Sequence, residues 1–323
     1  MDNFVGKIAV ITGGGTGMGR ELARQLSAEG CHVSICDVSS ENMGETVALC
    51  EADAPRGTRV TSFVADVSQA SQLLAFAEAV RSDHSTDHIN LLFNNAGIGG
   101  GGSFVSDSRD EWETTFNVCW GGVYLGTRTF MPLLLASEEG HIVNTSSVNG
   151  FWASLGPNIP HTAYSAAKFA VKGFTEALIT DLRQNAPHVK ASVVMPGHIG
   201  TSIMINSGKF FGRDPKEMTS EQLADVRDRL GKRGMDVSAA SDDDLRVGIQ
   251  MQGEMFRDAA PMTAAEAATV ILDGVRAGTW RILVGDDAVS LDELVREFPA
   301  IAYDPEFTSH LRSRGLFSFA IEQ

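Results

Sequence analysis

Basic residues are the minority of the charge in this chain. Its 26 lysines and arginines face 41 aspartates and glutamates over 323 residues, a formal net charge of −15. Such a chain repels polyanions, which argues against nucleic acid and an acidic membrane surface as partners. No apolar run approaches the ~20 residues that cross a bilayer. No basic region followed by an apolar stretch stands behind Met1-Asp2-Asn3-Phe4-Val5, so a cytoplasmic protein is expected. Cysteine is scarce: Cys31, Cys36, Cys50 and Cys119 lie at spacings that match neither a zinc site nor a redox pair. They are expected as buried free thiols in a reducing compartment, and no metal site is expected.

With 43% apolar and 21% charged residues, the chain has the make-up of a folded protein with a sizeable core. Short β-branched runs at 7–12, 32–36, 59–65, 89–94, 141–145 and 190–195 alternate with segments of helical spacing, such as Leu22, Ala23 and Leu26. Strands separated by helix-length crossovers imply a parallel sheet covered on both faces. A seventh strand at 280–284 follows a helix opened by the capping pattern Thr263-x-x-Glu266. The expected fold is α/β: one doubly wound, Rossmann-type catalytic domain over 1–285, three layers α/β/α, around a seven-stranded parallel sheet.

The rhythm breaks at 202–262. Ile203, Met204, Ile205, Phe210 and Phe211 come first, then a short helix at Thr219-x-x-Gln222. A polar stretch with Gly231, Gly234 and Asp242-Asp243-Asp244 follows. So long an excursion reads as a substrate lid, with a plain surface insertion as the alternative. Residues 286–323 form an extension with a helix from Ser290. Its Phe298, Tyr303, Phe307, Phe317 and Phe319 are too apolar for a solvated end, so it is expected to pack on its own subunit or a neighbour.

The first strand ends in Thr12-Gly13-Gly14-Gly15-Thr16-Gly17-Met18-Gly19, just before the first helix. Glycines let the backbone turn tightly against a ligand, and the helix N-terminus offers N–H groups to a pyrophosphate. The second strand ends at Asp37, whose carboxylate can accept bonds from both adenosine ribose hydroxyls and would repel a 2′-phosphate. No basic residue stands at Gly15, Thr16 or Val38 to welcome that phosphate. The alternative for Asp37 is a helix cap. Asp66, before Val67, is placed for the adenine edge, and a helix N-cap is almost as good an account of it. Asn94-Asn95-Ala96-Gly97 ends the fourth strand with small residues that let backbone pass beside a cofactor, while its amides tie neighbouring strands together. Alone, it reads equally as a turn.

After the fifth strand come Ser147 and then Tyr164-Ser165-Ala166-Ala167-Lys168. Tyr164 and Lys168, four apart, share one helix face. A phenol with a pKa of ~10 is a poor base near neutrality, and a neighbouring ammonium lowers that value. Ser147 can hydrogen-bond a substrate oxygen while Tyr164 exchanges its proton.

With these pieces assembled, the sequence resembles the short-chain dehydrogenase/reductase family, in its single-domain subgroup. The matching motifs are Thr12-Gly13-x-x-x-Gly17-x-Gly19, Asn94-Asn95-Ala96-Gly97, Asn117, Ser147, Tyr164-x-x-x-Lys168 and Pro196-Gly197-x-x-x-Thr201. The glycine spacing and the Asn-Asn-Ala-Gly segment argue against the extended subgroup of sugar epimerases and dehydratases. The resemblance implies a sheet in the order 3-2-1-4-5-6-7, NAD(H) across its carboxyl edge and a homodimer or homotetramer. Tyr164 would be the acid/base, Lys168 would lower its pKa and hold the nicotinamide ribose, and Ser147 would orient the substrate oxygen. Asn117 would interrupt its helix to hold a proton-relaying water. Pro196, Gly197, Ile199 and Thr201 would cradle the nicotinamide side, with Ile199 backbone groups on the carboxamide. Gly13, Thr16, Gly17, Met18, Gly19, Asp37, Asp66, Val67, Asn94, Ala96 and Gly97 complete the cofactor set.

The expected activity is hydride transfer between NAD(H) and a secondary alcohol or ketone with apolar substituents. A non-catalytic NAD(H)-binding redox sensor and the same reaction with NADP(H) are the rivals. The stretch between Ser147 and Tyr164 exceeds the family's usual length. Its Phe151, Trp152, Leu155, Gly156-Pro157 and Ile159-Pro160 suggest an apolar pocket wall, with core packing of Phe151 and Trp152 equally open. His161 and His198 are given no catalytic role. Met195, Met204, Met251, Met255 and Met262 read as core filling or as an adaptable lid.

Overall fold

The run Ile8-Ala9-Val10-Ile11-Thr12 shows no polar alternation, and in the computed structural model all five residues are buried. That is the signature of a strand covered on both faces. Residues 1–156, 159–232 and 235–316 are described. The strands are β1 (Ile8–Thr12), β2 (His32–Asp37), β3 (Val60–Val64), β4 (Leu91–Asn94), β5 (Gly140–Thr145), β6 (Val189–Pro196), β7 (Ile199–Gly200), β8 (Met262–Thr263) and β9 (Arg281–Val284). Seven form one sheet in the order β3-β2-β1-β4-β5-β6-β9, with β7 and β8 as a separate ribbon. Every pairing is parallel. Without that ribbon, the expected 3-2-1-4-5-6-7 order is the observed one.

Because successive side chains alternate faces, each strand feeds two cores. Ala9, Ile11, Val33, Ile35 and Phe93 meet Leu22, Leu26, Ile271 and Leu272 on one side. Ile8, Val10 and Leu92 meet Phe76, Phe130, Ala167 and Leu178 on the other. All four cysteines are buried and free. Among the described residues, no helix is long and apolar enough to cross a membrane. Strand ends differ from expectation by one or two residues, as where β4 starts at Leu91 because the Ile89 N–H bonds Leu133 O outside the sheet.

Between β7 and β8 stand three helices, Ile203–Phe210, Ser220–Lys232 and Asp242–Asp258. The middle one runs well beyond the short helix expected from Thr219, whose hydroxyl accepts the Gln222 N–H at 3.3 Å. The aspartates expected in a polar stretch instead open the third helix. Ser241 and Asp244 form its capping box, and three carboxylates in the first turn suit the positive helix end. Gly234 lies outside the described residues.

The extension begins with helix Asp286–Glu297, four residues before the expected Ser290, because Gly285 at φ 102° turns the chain directly out of β9. Leu291, Leu294, Phe307 and Leu311 bury themselves with Val148 and Trp152 of the same chain. The Trp152 indole N–H donates to Ala302 O at 2.7 Å, so Trp152 is a core residue and not a pocket wall. Phe151 packs against the same cluster, under the Arg281 guanidinium at 5.7 Å. Arg281 of β9 forks onto Asp292 at 2.9 and 2.5 Å, tying the helix to the sheet edge. Phe317, Phe319 and Pro157 lie outside the described residues.

Phe307 is 1% exposed and its ring lies 5.9 Å from that of Trp152. Phe307→Ala should therefore cost about 3–5 kcal/mol in chemical denaturation. A loss below about 1 kcal/mol would mean that this core unfolds apart from the sheet.

Candidate active site

The first helix, Gly17–Ala28, starts where β1 stops, and its N-cap Thr16 makes no side-chain cap bond. Its first N–H groups therefore face the strand ends without an internal partner. Gly13, at φ 67°, lies so near β4 that a Cβ there would be 2.8 Å from Ala96 Cα. A Cβ at Gly19 would be 2.0 Å from Gly13 O, so helix and loop close only around glycine. The Thr12 hydroxyl accepts the N–H groups of Asn95 and Ala96 at 3.0 and 3.1 Å, which fastens the Asn94–Gly97 turn to the glycine loop.

A cleft of about 520 Å³ opens over these strand ends. Gly13, Thr16, Gly17, Met18, Asp37, Asp66, Val67, Ala96, Gly97 and Thr201 line it, all on sequence grounds candidates for a cofactor. Asn94 does not: its amide is buried between Thr127 Oγ1 and Asn144 Oδ1, at 3.0 and 2.8 Å. Only its main chain can serve a ligand. Asn95 lines the cleft in its place, as do Asn206, Lys209 and Phe210 from the helical excursion. Phe210 was among the residues that mark the excursion as a lid; Asn206 and Lys209 carry no such sign, because excursion and glycine loop are nearly 200 residues apart.

Asp37 stands at the rim, accepting the Gly15 N–H at 3.0 Å and the Ser39 N–H at 3.1 Å. It does not cap the following helix; Ser39 does, with its hydroxyl on the Asn42 N–H. Asp66 likewise accepts the Ser68 N–H at 2.9 Å, while Gln69 takes the N-cap position of the next helix. Arg20 lies near Asp37, a basic residue that inspection of Gly15, Thr16 and Val38 passed over. Its guanidinium is engaged by Gly15 O and by Glu45, both at 2.7 Å.

On the other side of the β4–β5 boundary, helix Thr162–Asn185 carries Tyr164 and Lys168. Lys168 is 2% exposed, and its ammonium donates to Thr145 O at 2.8 Å. It sits 5.3 Å from the centre of the Tyr164 ring. Ser147, whose hydroxyl accepts the Asn149 N–H at 3.1 Å, stands on the phenol's side and works to lower its pKa. Burial pushes the Tyr164 phenol above its ordinary pKa and draws that of Lys168 down. A Cβ on Gly97 would lie 3.6 Å from Lys168 Nζ, so the cleft floor meets the ammonium there. Asn117 opens a π-helical turn, Asn117–Gly121, between two α-helical segments, a place where main-chain groups lose their regular partners. His161 lies with its ring 4.7 Å from that of Tyr164, and burial lowers its pKa to about 4, so it is neutral near pH 7.

The Tyr164 helix is positioned by a feature the sequence reading passed over, the run Gly99-Gly100-Gly101-Gly102. The carbonyls of Gly102 and Gly101 accept the first N–H groups of the helix, from Thr162 and Ala163, at 2.9 and 3.1 Å. A Cβ at Gly101 would stand 2.7 Å from Ala163 Cβ and 2.8 Å from Trp112 Cα. The signal was the run itself, four glycines directly after Asn-Asn-Ala-Gly-Ile.

Polar ties fasten the excursion to the residues around the cleft. Asn206 donates to the Thr16 hydroxyl at 3.0 Å, and the Gly99 N–H donates to Ser207 Oγ at 2.8 Å. Arg213 forks onto Glu111 at 2.9 and 3.0 Å. Burial works to raise the Glu111 carboxyl, but Arg213 and the Gly101 N–H outweigh it and hold the group below its ordinary pKa. Pro196 ends β6, and Gly197 donates to Val284 O at 2.9 Å. Ile199 pairs with Met262 in the ribbon, and Thr201 reaches the cleft. His198 hydrogen-bonds Phe256 O at 2.7 Å through its ring, a structural role.

Comparison with known proteins agrees with this geometry. A family model described as short chain dehydrogenase matches residues 7–210. The Mycobacterium tuberculosis protein SadH is 35% identical over 296 residues, 92% of either chain. The human dehydrogenase/reductase SDR family member 11 is 30% identical over 69% of this chain and 84% of its own. A short chain dehydrogenase/reductase from Burkholderia phymatum, solved in complex with NAD, has a TM-score of 0.74 and 28% identity, with 94% of this chain and 98% of that one covered. A metagenomic short-chain oxidoreductase in complex with NADP has a TM-score of 0.53 and 31% identity over 60% of this chain and 83% of its own. By sequence, sheet order and the make-up of its strand-end cleft, this chain belongs to the short-chain dehydrogenase/reductase family of oxidoreductases.

Proposed function

We propose that this protein moves hydride between NAD(H) and a secondary alcohol, or the matching ketone, with apolar substituents. The observation that carries the reading is the Tyr164 ring set 5.3 Å from the buried Lys168 ammonium, beside the buried Ser147. The cleft fits a dinucleotide: glycines at 13 and 19 leave no room for side chains, and the Asp37 carboxylate waits at one end. When bound, the nicotinamide supplies the hydride donor or acceptor. Tyr164 Oη takes the alcohol proton or returns it to the ketone oxygen, Ser147 Oγ holds that oxygen, and Lys168 Nζ favours the phenolate. In this reading Asn117 sustains the proton relay at the π-turn, and Pro196, Gly197, Ile199 and Thr201 hold the nicotinamide side. The catalytic unit is 1–285, with 202–262 as its lid and 286–323 as an extension. Self-association as a dimer or tetramer is part of the proposal, supported by the exposed Tyr124, Leu135 and Phe169.

NAD is preferred over NADP because the Arg20 guanidinium is held by Gly15 O and Glu45, leaving Asp37 to dominate the rim. A 2′-phosphate would lose bonds to that carboxylate and meet its charge. A penalty of about 3 kcal/mol gives a preference on the order of a hundredfold in kcat/KM. Asp37→Ser should shrink it sharply, and Arg added at Val38 should push the enzyme towards NADP. Equal kcat/KM with the two coenzymes in the unmodified protein would contradict this.

Tyr164→Phe should keep the fold and NADH binding while turnover falls about a hundredfold or more. Since burial raises the phenol's pKa, the proton-accepting form is the minor one at neutrality. Alcohol oxidation should therefore quicken, and ketone reduction slow, as pH rises above neutrality. A Phe variant with a tenth of normal turnover would remove Tyr164 from the chemistry.

The lid reading concerns 202–262, tied down by Asn206, Ser207 and Arg213. Amide exchange there should be fast in the free protein and slow with NAD and a substrate analogue both bound. Equal protection in the two states would make the segment a plain insertion.

A further inference from the structure

The loop that follows β6 is gripped from the C-terminal extension by one carboxylate. Asp287, in the first turn of helix Asp286–Glu297, accepts the His198 N–H on Oδ2 at 2.6 Å. Its other oxygen accepts the Ala288 N–H at 2.9 Å. A Cβ on Gly197 would lie 2.2 Å from both carboxylate oxygens, so Asp287 fills the space that a side chain at 197 would need. The grip is rigid at its base. Arg281 and Arg296 both hold Asp292 of that helix, and Leu291 and Leu294 are buried beside Val148, the neighbour of Ser147.

We propose that Asp287 is a positioning residue for the nicotinamide end of the cofactor, acting through the Gly197–His198 peptide. The proposal rests on the reading that loop 196–201 holds the nicotinamide. Fixing the His198 N–H fixes the plane of that peptide and so, together with the pairing of Ile199 with Met262, restrains the path by which the chain presents the Ile199 main-chain groups. A charged acceptor does this better than a neutral one, since charge-assisted bonds are shorter and stronger. The chain thus uses its extension, outside the 7–210 family match, to set the geometry of the cofactor loop. Trp152 and Phe307 reinforce the same core from the Ser147 side.

The test compares two ligands that share the adenosine end. NADH and AMP are titrated against the full-length protein and against Asp287→Ala and Asp287→Asn, with melting temperature and steady-state kinetics recorded for each. In Asp287→Ala, the Kd for NADH should rise about tenfold and kcat should fall, while the Kd for AMP stays within about twofold. Asp287→Asn keeps an oxygen that can accept the His198 N–H, so it should recover part of the loss. Unchanged NADH affinity and kcat in Asp287→Ala would overturn the proposal. So would a parallel loss of NADH and AMP binding with a lowered melting temperature, which would make Asp287 a structural residue only. If Asp287→Ala does not fold, Asp287→Asn carries the same comparison, and an NADH affinity and kcat equal to those of the unmodified protein would overturn the proposal. A different failure, in which the unmodified protein binds NADH no more tightly than AMP, would instead remove the reading of loop 196–201 as a nicotinamide site.

Discussion

An ammonium buried in the middle of the molecule is the constraint on which the rest of the site depends. Lys168 lies under Tyr164 with Thr145 O as its hydrogen-bond acceptor, and among the described residues no carboxylate pairs with it. A buried charge without a counter-ion is strongly disfavoured, and an ammonium has three donors to satisfy. In the proposed reading, the remaining donors of that ammonium serve ligand hydroxyls and a phenolate. Burial disfavours both charged forms separately, lowering the lysine's pKa and raising the tyrosine's. In the proposed reading the two offset each other, because an anion on Tyr164 would stand beside the ammonium.

Holding that pair at the strand ends requires support from three directions. The glycine run 99–102 gives its carbonyls to the start of the Tyr164 helix. The Thr12 hydroxyl ties the Asn95 and Ala96 N–H groups to the glycine loop. The C-terminal extension closes the third side, through Val148 behind Ser147 and Asp287 behind Gly197. The hydrogen-bonded supports all hold main-chain N–H groups, which suits a site whose parts must stay within a few tenths of an ångström of a working geometry.

Features encoded locally were legible in the sequence. The apolar run of β1, the Tyr164–Lys168 spacing and the Thr263–Glu266 capping box all depend on residues within one turn or one strand, and all appear where the pattern put them. Features made by distant pairs were not. Nothing within reach of Trp152 announces that its indole will bond Ala302 O, or that Asp287 will meet His198. The expected amide tie between strands is there, but Asn95 lines the cleft where Asn94 was expected, for a related reason. Adjacent residues of a strand face opposite ways, and the sheet's own need for a buried amide tie between β4 and β5 claimed Asn94. The three aspartates at 242–244 looked like loop because charge suggests solvent, whereas at a helix N-terminus the same charges are stabilising.

The central claim is that a hydride leaves a carbinol carbon directly for a nicotinamide while Tyr164 takes the hydroxyl proton. Incubation of the protein with NAD and a panel of diverse secondary alcohols, each deuterated at the carbinol carbon, tests it most directly. NAD should be reduced with at least one alcohol, and the deuterium should be recovered on the nicotinamide ring without exchange with water. Label lost to solvent, or no reduction of NAD by any alcohol in the panel, would contradict it.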